Sequence, residues 1–536
     1  MGNTTMENRT PLFTSSDWDF ETLEKVYKEI ENVALNDLGL DTYPTQIEII
    51  SSEQMLDAYA SIGMPLMYEH WSFGKHFVRE GNLYRKGLVG LAYEIVINTS
   101  PCICYCMEDN TMALQALVMA HAGFGHNHFF KNNYLFKQWS DAEGILGYLA
   151  YAKGYVSRCA ESYGMKEVEK TLDAAHALMN HGVFRYERRT KSRLDKEEIR
   201  EERRRENEER TFNVLWSTLP RKGKEGEASE EEKEIAKRKK MLNLPEENIL
   251  YFLEKFSPAF GPGENWKREI IRIVRNVAQY FYPQRQTKVM NEGCATFVHY
   301  YIMCALHERG LLTEGAMQEI LVSHTNVIAQ PDFDDPRFNG INPYKLGFEM
   351  MRDIVRISTG IDQATNKPCS QEQLDEDKEW FPGIAGCGDW RSVLKDAWAN
   401  FRDESFILQF LSPYLIRKLR LFEIFDDEKS SYQEVAHVSD DAGYKAVRRD
   451  LAKQYDLGLI DPNIQVVDVD LRGDRLLRLE HTIQSGIQLD DKDRDMTLHY
   501  LRQLWGYDVS LESIHQRSGE TAYKIVAEAE GIKVSK

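Results

Sequence analysis

Apolar residues recur at helical spacing along most of this chain. In the first such stretch Phe20, Leu23 and Ile30 fall on one helical face, and Asp17 or Asp19 stands before them as a helix N-cap. Later stretches keep the same spacing up to about residue 425. This periodicity predicts a mainly helical protein.

Strand-like alternation is confined to short runs. Residues 46–50 form one run, and residues 92–107 form another with an Asn-Thr-Ser-Pro turn signal in the middle, which predicts a β-hairpin. A second hairpin is predicted around the Gly-Asp turn at 473–474. The predicted fold class is therefore mainly α: a large helical domain with a short β-hairpin, plus a small C-terminal α+β domain.

Changes in composition divide the chain further. Arg, Glu and Lys dominate residues 186–240 in runs of mixed sign, which are typical of a solvated helix or a mobile insertion. The predicted organisation is a disordered N-terminus at 1–16, a helical part with a histidine cluster at 17–185, a charged linker or insertion at 186–240, a second helical part completing the same core at 241–429, and a C-terminal α+β domain at 430–536.

Charge and cysteine usage exclude several classes of protein. The formal net charge of −18 gives no positive field for nucleic acid or an anionic membrane. The sequence contains no run of 18 apolar residues, so no membrane span is predicted. The polar residues 1–16 lack the apolar core of a signal peptide. The eight cysteines contain no CxxC pair. We expect a cytoplasmic protein.

Three histidines within eight residues are the densest chemical signal. His121, His126 and His128 end an apolar helical pattern. His121 and His126 are five residues apart, so about 140° separates them on an ideal α-helix. A π-helical turn, or a break at Gly125, would bring them into line. The pattern favours a polar site that lines a cavity, and histidines that are buried and hydrogen-bonded for structural reasons alone are the alternative.

A second segment carries a carboxylate and an imidazole on one helical face. Glu292 and His299 are seven residues apart within an otherwise uncharged stretch. A glutamate in such surroundings is expected to have a partner inside the protein, either a metal ion or a histidine of the first cluster. A helix-starting glutamate that favours the N-terminal dipole is the alternative. Glu94 interrupts the apolar run at 91–98 and is expected to point into the core.

Five motifs resemble the SpoVR (stage V sporulation protein R) family over about residues 17–480. They are LDTYPTQIEIISSEQM (40–55), MYEHWSFGKHF (67–77), GHNHFFKNN (125–133), FYPQRQT (281–287) and ESFILQFLSP (404–413). The resemblance implies a cytoplasmic protein linked to the spore cortex in spore-formers, or to stress and stationary phase elsewhere. It also implies, as partners, a PrkA-type serine kinase and its companion protein.

The layout also resembles zinc peptidases that pair a histidine helix with a downstream glutamate helix. That resemblance implies His121, His126 and Glu292 as ligands of a divalent metal, most simply zinc, in a gluzincin-like site. His299, His128 or Glu94 would then act as base or orient the ligands. Ala122 stands where the HExxH motif has its glutamate.

Two hypotheses follow for function. The first is a metal-dependent hydrolase or amidase acting on a cell-wall-related or peptide substrate. The second is a non-catalytic regulatory scaffold that works with the serine kinase.

Overall fold

The structure is a computed structural model that describes most of the chain. The described residues are 10–60, 67–72, 75, 94–185, 230–332, 335–421, 423–425, 434–436, 440–484 and 486–535. Most of the predicted disordered N-terminus and of the charged insertion, at 1–9 and 186–229, lies outside these ranges. Within residues 10–16, Phe13 is buried and the backbone N–H of Leu12 donates to the carbonyl of Leu311. Apolar side chains explain this anchoring.

Helices form most of the described chain. They are α1 (Phe20–Asn32), α2 (Ser52–Ala60), α3 (Met112–Ala120), α4 (Asn127–Asn132), α5 (Tyr134–Trp139), α6 (Ile145–Tyr163), α7 (Met165–Ala177), α8 (Glu230–Leu242), α9 (Ile249–Phe256), α10 (Asn265–Gln286), α11 (Lys288–Glu308), α12 (Glu314–Val327), α13 (Pro343–Thr359), α14 (Gln371–Trp380), α15 (Trp390–Asn400), α16 (Asp403–Phe410), α17 (Pro413–Lys418), α18 (Asp441–Lys453), α19 (Leu457–Ile460) and α20 (Asp491–Trp505). Two π-helical turns (Val33–Asp37 and His121–His126) and a 3-10 turn (Met179–His181) complete the set.

The strands are short and form small sheets. They are β1 (Thr45–Ile50), β2 (Glu94–Ile97), β3 (Cys102–Met107), β4 (Ile361–Asp362), β5 (Lys367–Pro368), β6 (Glu423–Phe425), β7 (Glu434–Ala436), β8 (Asn463–Val469), β9 (Leu477–Ile483), β10 (Val509–His515), β11 (Thr521–Glu528) and β12 (Gly531–Ser535). Both predicted hairpins are present, as β2–β3 and β8–β9. β1 adds to β3 in parallel, and β12-β11-β10-β9-β8 form a five-stranded sheet. The predicted fold class, mainly α with a small C-terminal α+β part, is confirmed.

Two compact units divide the chain, and each joins two separate stretches. The first comprises Met1–Ser157 and Tyr280–Ile460, and the second comprises Arg158–Gln279 and Asp461–Lys536. These boundaries differ from those drawn at 185, 240 and 429, because changes of composition report charge rather than packing. The observed boundaries after Ser157 and after Gln279 fall inside the helices α6 and α10, where the sequence gives no break.

Helix α11 runs through the core of the first unit. Val289, Met290, Cys294 and Val298 are fully buried. Its neighbour α13 begins with Pro343 after the N-cap Asn342 and is buried along most of its length from Leu346 onward. None of the described helices is long and apolar enough to cross a membrane.

Two glycines let α11 and α13 touch backbone to backbone. A Cβ placed on Gly293 would lie 2.6 Å from the backbone of Gly347, and one on Gly347 would lie 2.2 Å from the carbonyl oxygen of Val289. No side chain can rotate away from such a contact, so any larger residue must separate the helices. The contact therefore fixes the position of Glu292, the residue next to Gly293.

We predict that Gly293→Ala destabilises the first unit by about 2 kcal/mol or more, because overpacking a tight core forces backbone shifts. The change is measured as a lower midpoint of urea or thermal unfolding. Gly315→Ala in α12 is the matched control: a Cβ there would meet no described atom within 4 Å. That control should unfold at or slightly above the wild-type midpoint, because alanine favours helix. Equal midpoints for Gly293→Ala and wild type would contradict the tight crossing.

Candidate metal centre

The histidine cluster lies on a π-helical turn, which is one of the two ways proposed from the sequence to align His121 with His126. Residues His121–His126 form the turn, and the backbone N–H of Asn127 donates to the carbonyl of Ala122, five residues earlier. The wider turn brings residues i and i+5 to the same side. The rings of His121 and His126 therefore meet edge to face, with centroids 4.7 Å apart.

Gly125 allows this turn to pack directly on α11. A Cβ on Gly125 would lie 2.5 Å from the Cα of Ala295 and 2.9 Å from its Cβ. Only a glycine leaves room for that approach. The contact places the two histidines beside Glu292, which lies almost one helical turn before Ala295.

Two carboxylates from separate parts of the chain face the histidines. Glu94, the first residue of β2, has its Oε1 atom 3.4 Å from Nε2 of His121. Glu292 has its Oε2 atom 3.5 Å from Nε2 of His126 and 4.0 Å from Nε2 of His121. Glu94, His121 and His126 each offer an atom within 4.8 Å of the other two.

The other ring nitrogen of each histidine is already engaged. Nδ1 of His126 bonds Oδ1 of Asn291 at 2.9 Å, which makes Nδ1 the protonated nitrogen and leaves a lone pair on Nε2. Nδ1 of His121 bonds Nδ1 of His299 at 2.8 Å, and Nε2 of His299 bonds Nδ1 of His324 at 2.8 Å. Such partners hold the imidazoles in a fixed orientation.

Burial shapes the electrostatics of the cluster. Burial raises the pKa of Glu94 to about 8, and repulsion from Glu292 adds to the rise. Burial also lowers the pKa of His121 well below its usual range, and His126 and His299 act in the same direction. The Oε2 atom of Glu292 is buried and has no hydrogen-bond partner among the described residues. A buried carboxylate oxygen in this state is a group that a cation would satisfy.

The donor set fits a divalent metal ion. Ligands about 2.1 Å from a tetrahedral ion are about 3.4 Å apart, which is close to the 3.4 and 3.5 Å separations between the carboxylate oxygens and the histidine nitrogens. Two imidazoles with carboxylate oxygens suit zinc and equally iron(II) or other first-row ions. The fit therefore supports the predicted divalent metal, and the residues alone do not select zinc.

A buried aspartate fixes the start of the helix that carries Glu292. Asp403, the first residue of α16, accepts hydrogen bonds from the backbone N–H groups of Val289 and Met290 at 2.8 and 2.9 Å. These groups have no intrahelical acceptor in the first turn of α11, so the carboxyl group caps it. Burial raises the pKa of Asp403 to about 7, against the opposing effect of these bonds.

The structure brings together five of the six predicted site residues, Glu94, His121, His126, Glu292 and His299. The sixth, His128, is directed elsewhere. Its Nδ1 atom contacts the backbone N–H and carbonyl of Asp41 at 3.0 and 2.9 Å, and its ring packs on Trp398. None of its recorded contacts within the described chain is with the other five. His128 therefore joins the segment before β1 to α4, as the structural alternative supposed.

Sequence reasoning missed Asn291, His324 and Asp403. A usable signal existed for His324, which continues the apolar face of Met317 and Ile320 in α12 and is buried with them. No sequence signal marked Asp403, since its partners lie more than a hundred residues away.

Comparison with known proteins places the chain in a family. Residues 17–460 match the family model described as SpoVR like protein, and residues 462–516 match the model of the SpoVR-like C-terminal domain. The chain therefore belongs to the SpoVR family. It is 49% identical over 506 residues, 94% of each chain, to a protein of Escherichia coli (strain K12) named Uncharacterized protein YcgB. No solved structure matches it.

We predict that Asp403→Asn weakens the pH dependence of stability. The raised pKa means that the folded state holds this proton more tightly than the unfolded state, whose value is near 3.8. The resulting stabilisation is full below about pH 4 and is lost as the pH rises through 7. Wild type should thus lose more stability than the variant between pH 5 and pH 8, as measured by urea unfolding.

The matched control for that experiment is Asp389→Asn, another aspartate that caps a helix in the same unit. Asp389 is exposed, and its hydrogen bond from Ser392 lowers its pKa, so it stays ionised between pH 5 and pH 8. The control should keep the wild-type pH profile. If Asp403→Asn also kept the wild-type pH dependence of stability, Asp403 would not be its source.

Proposed function

We propose that this protein is a metal-dependent hydrolase or amidase. The observation that supports it is the convergence of Glu94, His121, His126 and Glu292, with one carboxylate oxygen buried and lacking a hydrogen bond. Two oriented imidazoles and a carboxylate are the ligand set of hydrolytic metal sites.

The sequence resemblance implied Glu292 as a metal ligand and Glu94 as a candidate base, whereas the distances favour the reverse assignment. Glu94 forms the mutually close group with His121 and His126, so we assign these three as ligands. Glu292 faces both histidines and becomes the base. The missing HExxH glutamate is thereby replaced by a residue of α11.

A bound divalent ion would polarise a substrate carbonyl and lower the pKa of water at the site. The carboxylate of Glu292 accepts a proton from the attacking water as the oxygen of that water bonds to the carbonyl carbon. The same proton then passes to the leaving nitrogen as the carbon–nitrogen bond breaks. His299 and Asn291 hold the two imidazoles in place during these steps.

The substrate class and partners extend this proposal. We infer a peptide or cell-wall-related amide as substrate in a sporulation or stress setting, from the family resemblance alone. A PrkA-type serine kinase and its companion protein are the proposed partners on the same basis.

We predict that the natively purified protein contains about one equivalent of a divalent metal, measured by mass spectrometry. His121→Ala combined with Glu292→Ala should lose it while circular dichroism shows that the fold survives. His307→Ala is the control, because that histidine lies in the last turn of α11 and pairs with Glu314 at the start of α12. A different outcome would favour a structural cluster in a regulatory scaffold: the wild-type protein contains no metal and cannot be loaded with one, and the double variant is unstable.

We predict that Glu94→Gln and Glu292→Gln separate binding from chemistry. Glu94→Gln should weaken metal affinity at least tenfold, since it removes a charged ligand, whereas Glu292→Gln should keep most of the affinity and lose hydrolysis. Hydrolysis is followed by mass spectrometry of products from muropeptides and a peptide library, with and without a chelator. The reverse pattern would restore Glu292 as ligand and Glu94 as base.

A further inference from the structure

Three histidines form a continuous hydrogen-bonded row that begins at the metal centre. His121 lies on the π turn, His299 on α11 and His324 on α12, and two bonds of 2.8 Å join them through ring nitrogens. All three are buried, with exposed fractions of 6%, 2% and 5%. The row therefore extends two residues beyond the ligand itself.

Each bond in this row requires one nitrogen to donate and the other to accept. A neutral imidazole has one N–H and one lone pair, so the choice made at one ring fixes the next. Both ring nitrogens of His299 are engaged, and all three rings are buried, where an unbalanced charge is costly. A row of neutral rings therefore has two mutually exclusive directions.

Only one direction permits metal binding. When Nδ1 of His121 donates to His299, Nε2 of His299 must donate to Nδ1 of His324, and Nε2 of His121 keeps its lone pair. In the opposite direction Nε2 of His121 carries the proton and faces Oε1 of Glu94, 3.4 Å away. That nitrogen then has no lone pair with which to bind a metal ion.

We propose that His324 is a positioning residue that sets the metal-binding tautomer of His121 through His299. Its Nδ1 atom is the acceptor that the binding direction requires at the far end of the row. This inference rests on the proposed metal centre and adds to it a residue in a third helix.

The packing around His324 keeps that acceptor in place. Its ring packs against those of Tyr300 and Phe348, with centroid distances of 5.0 and 4.8 Å, and both of these rings are close to Arg352. A buried imidazole held in this way has little freedom to turn its Nδ1 away from His299.

The test compares two substitutions of His324 in the full-length protein. His324→Leu keeps an apolar side chain in the aromatic pocket but removes the acceptor, whereas the Oδ1 atom of His324→Asn lies close to the position of Nδ1. We expect His324→Leu to weaken Zn²⁺ and Co²⁺ affinity about 10- to 100-fold and His324→Asn to stay near wild type. His307→Leu, which changes a half-buried histidine in the last turn of α11, is the control.

Nitrogen-15 NMR of the Zn²⁺-loaded wild type supplies a second readout that needs no variant to fold. His121 should carry its proton on Nδ1 and His299 on Nε2. The opposite tautomers, wild-type affinity in His324→Leu, or equal losses in the leucine and asparagine variants would each overturn the inference. A wild type that binds neither ion would overturn the metal centre itself, and the inference with it.

Discussion

The site depends on one close approach, that of Gly125 to the backbone of Ala295. It brings a wide helical turn with two histidines against a helix with a glutamate, and no side chain stands between them. The opposite side of that helix is held in the same manner, by Gly293 against Gly347. Helix α11 is thus clamped between two backbone contacts, so Glu292 has little freedom to move away from the histidines.

The charges explain why this arrangement favours a cation. Burial, together with repulsion from Glu292, raises the pKa of Glu94 to about 8, so this carboxyl group holds a proton near pH 7. Repulsion between like charges is strong where water is scarce. A divalent ion would displace that proton, balance both carboxylates and supply the missing partner of the Glu292 oxygen, and its binding energy would add to the stability of the folded unit.

Local patterns predicted the local parts of this structure. Helical periodicity predicted α1 and α11, the Asn-Thr-Ser-Pro signal predicted the first hairpin, and the five-residue spacing with nearby glycine admitted the π turn. The remaining features are contacts between distant segments. The pairing of β1 with β3, the capping by Asp403 and the row ending at His324 have no local signature, and neither do the unit boundaries within α6 and α10.

The interleaved order of the two units has a consequence for synthesis of the chain. The first unit begins at the N-terminus but cannot close until residues 280–460 have left the ribosome, and residues 158–279 emerge in between while their own partner, 461–536, is still unmade. Neither unit can therefore fold vectorially as translation proceeds. His121 and His126 are synthesised about 170 residues before Glu292, so the four side chains of the site can converge only in the second half of translation.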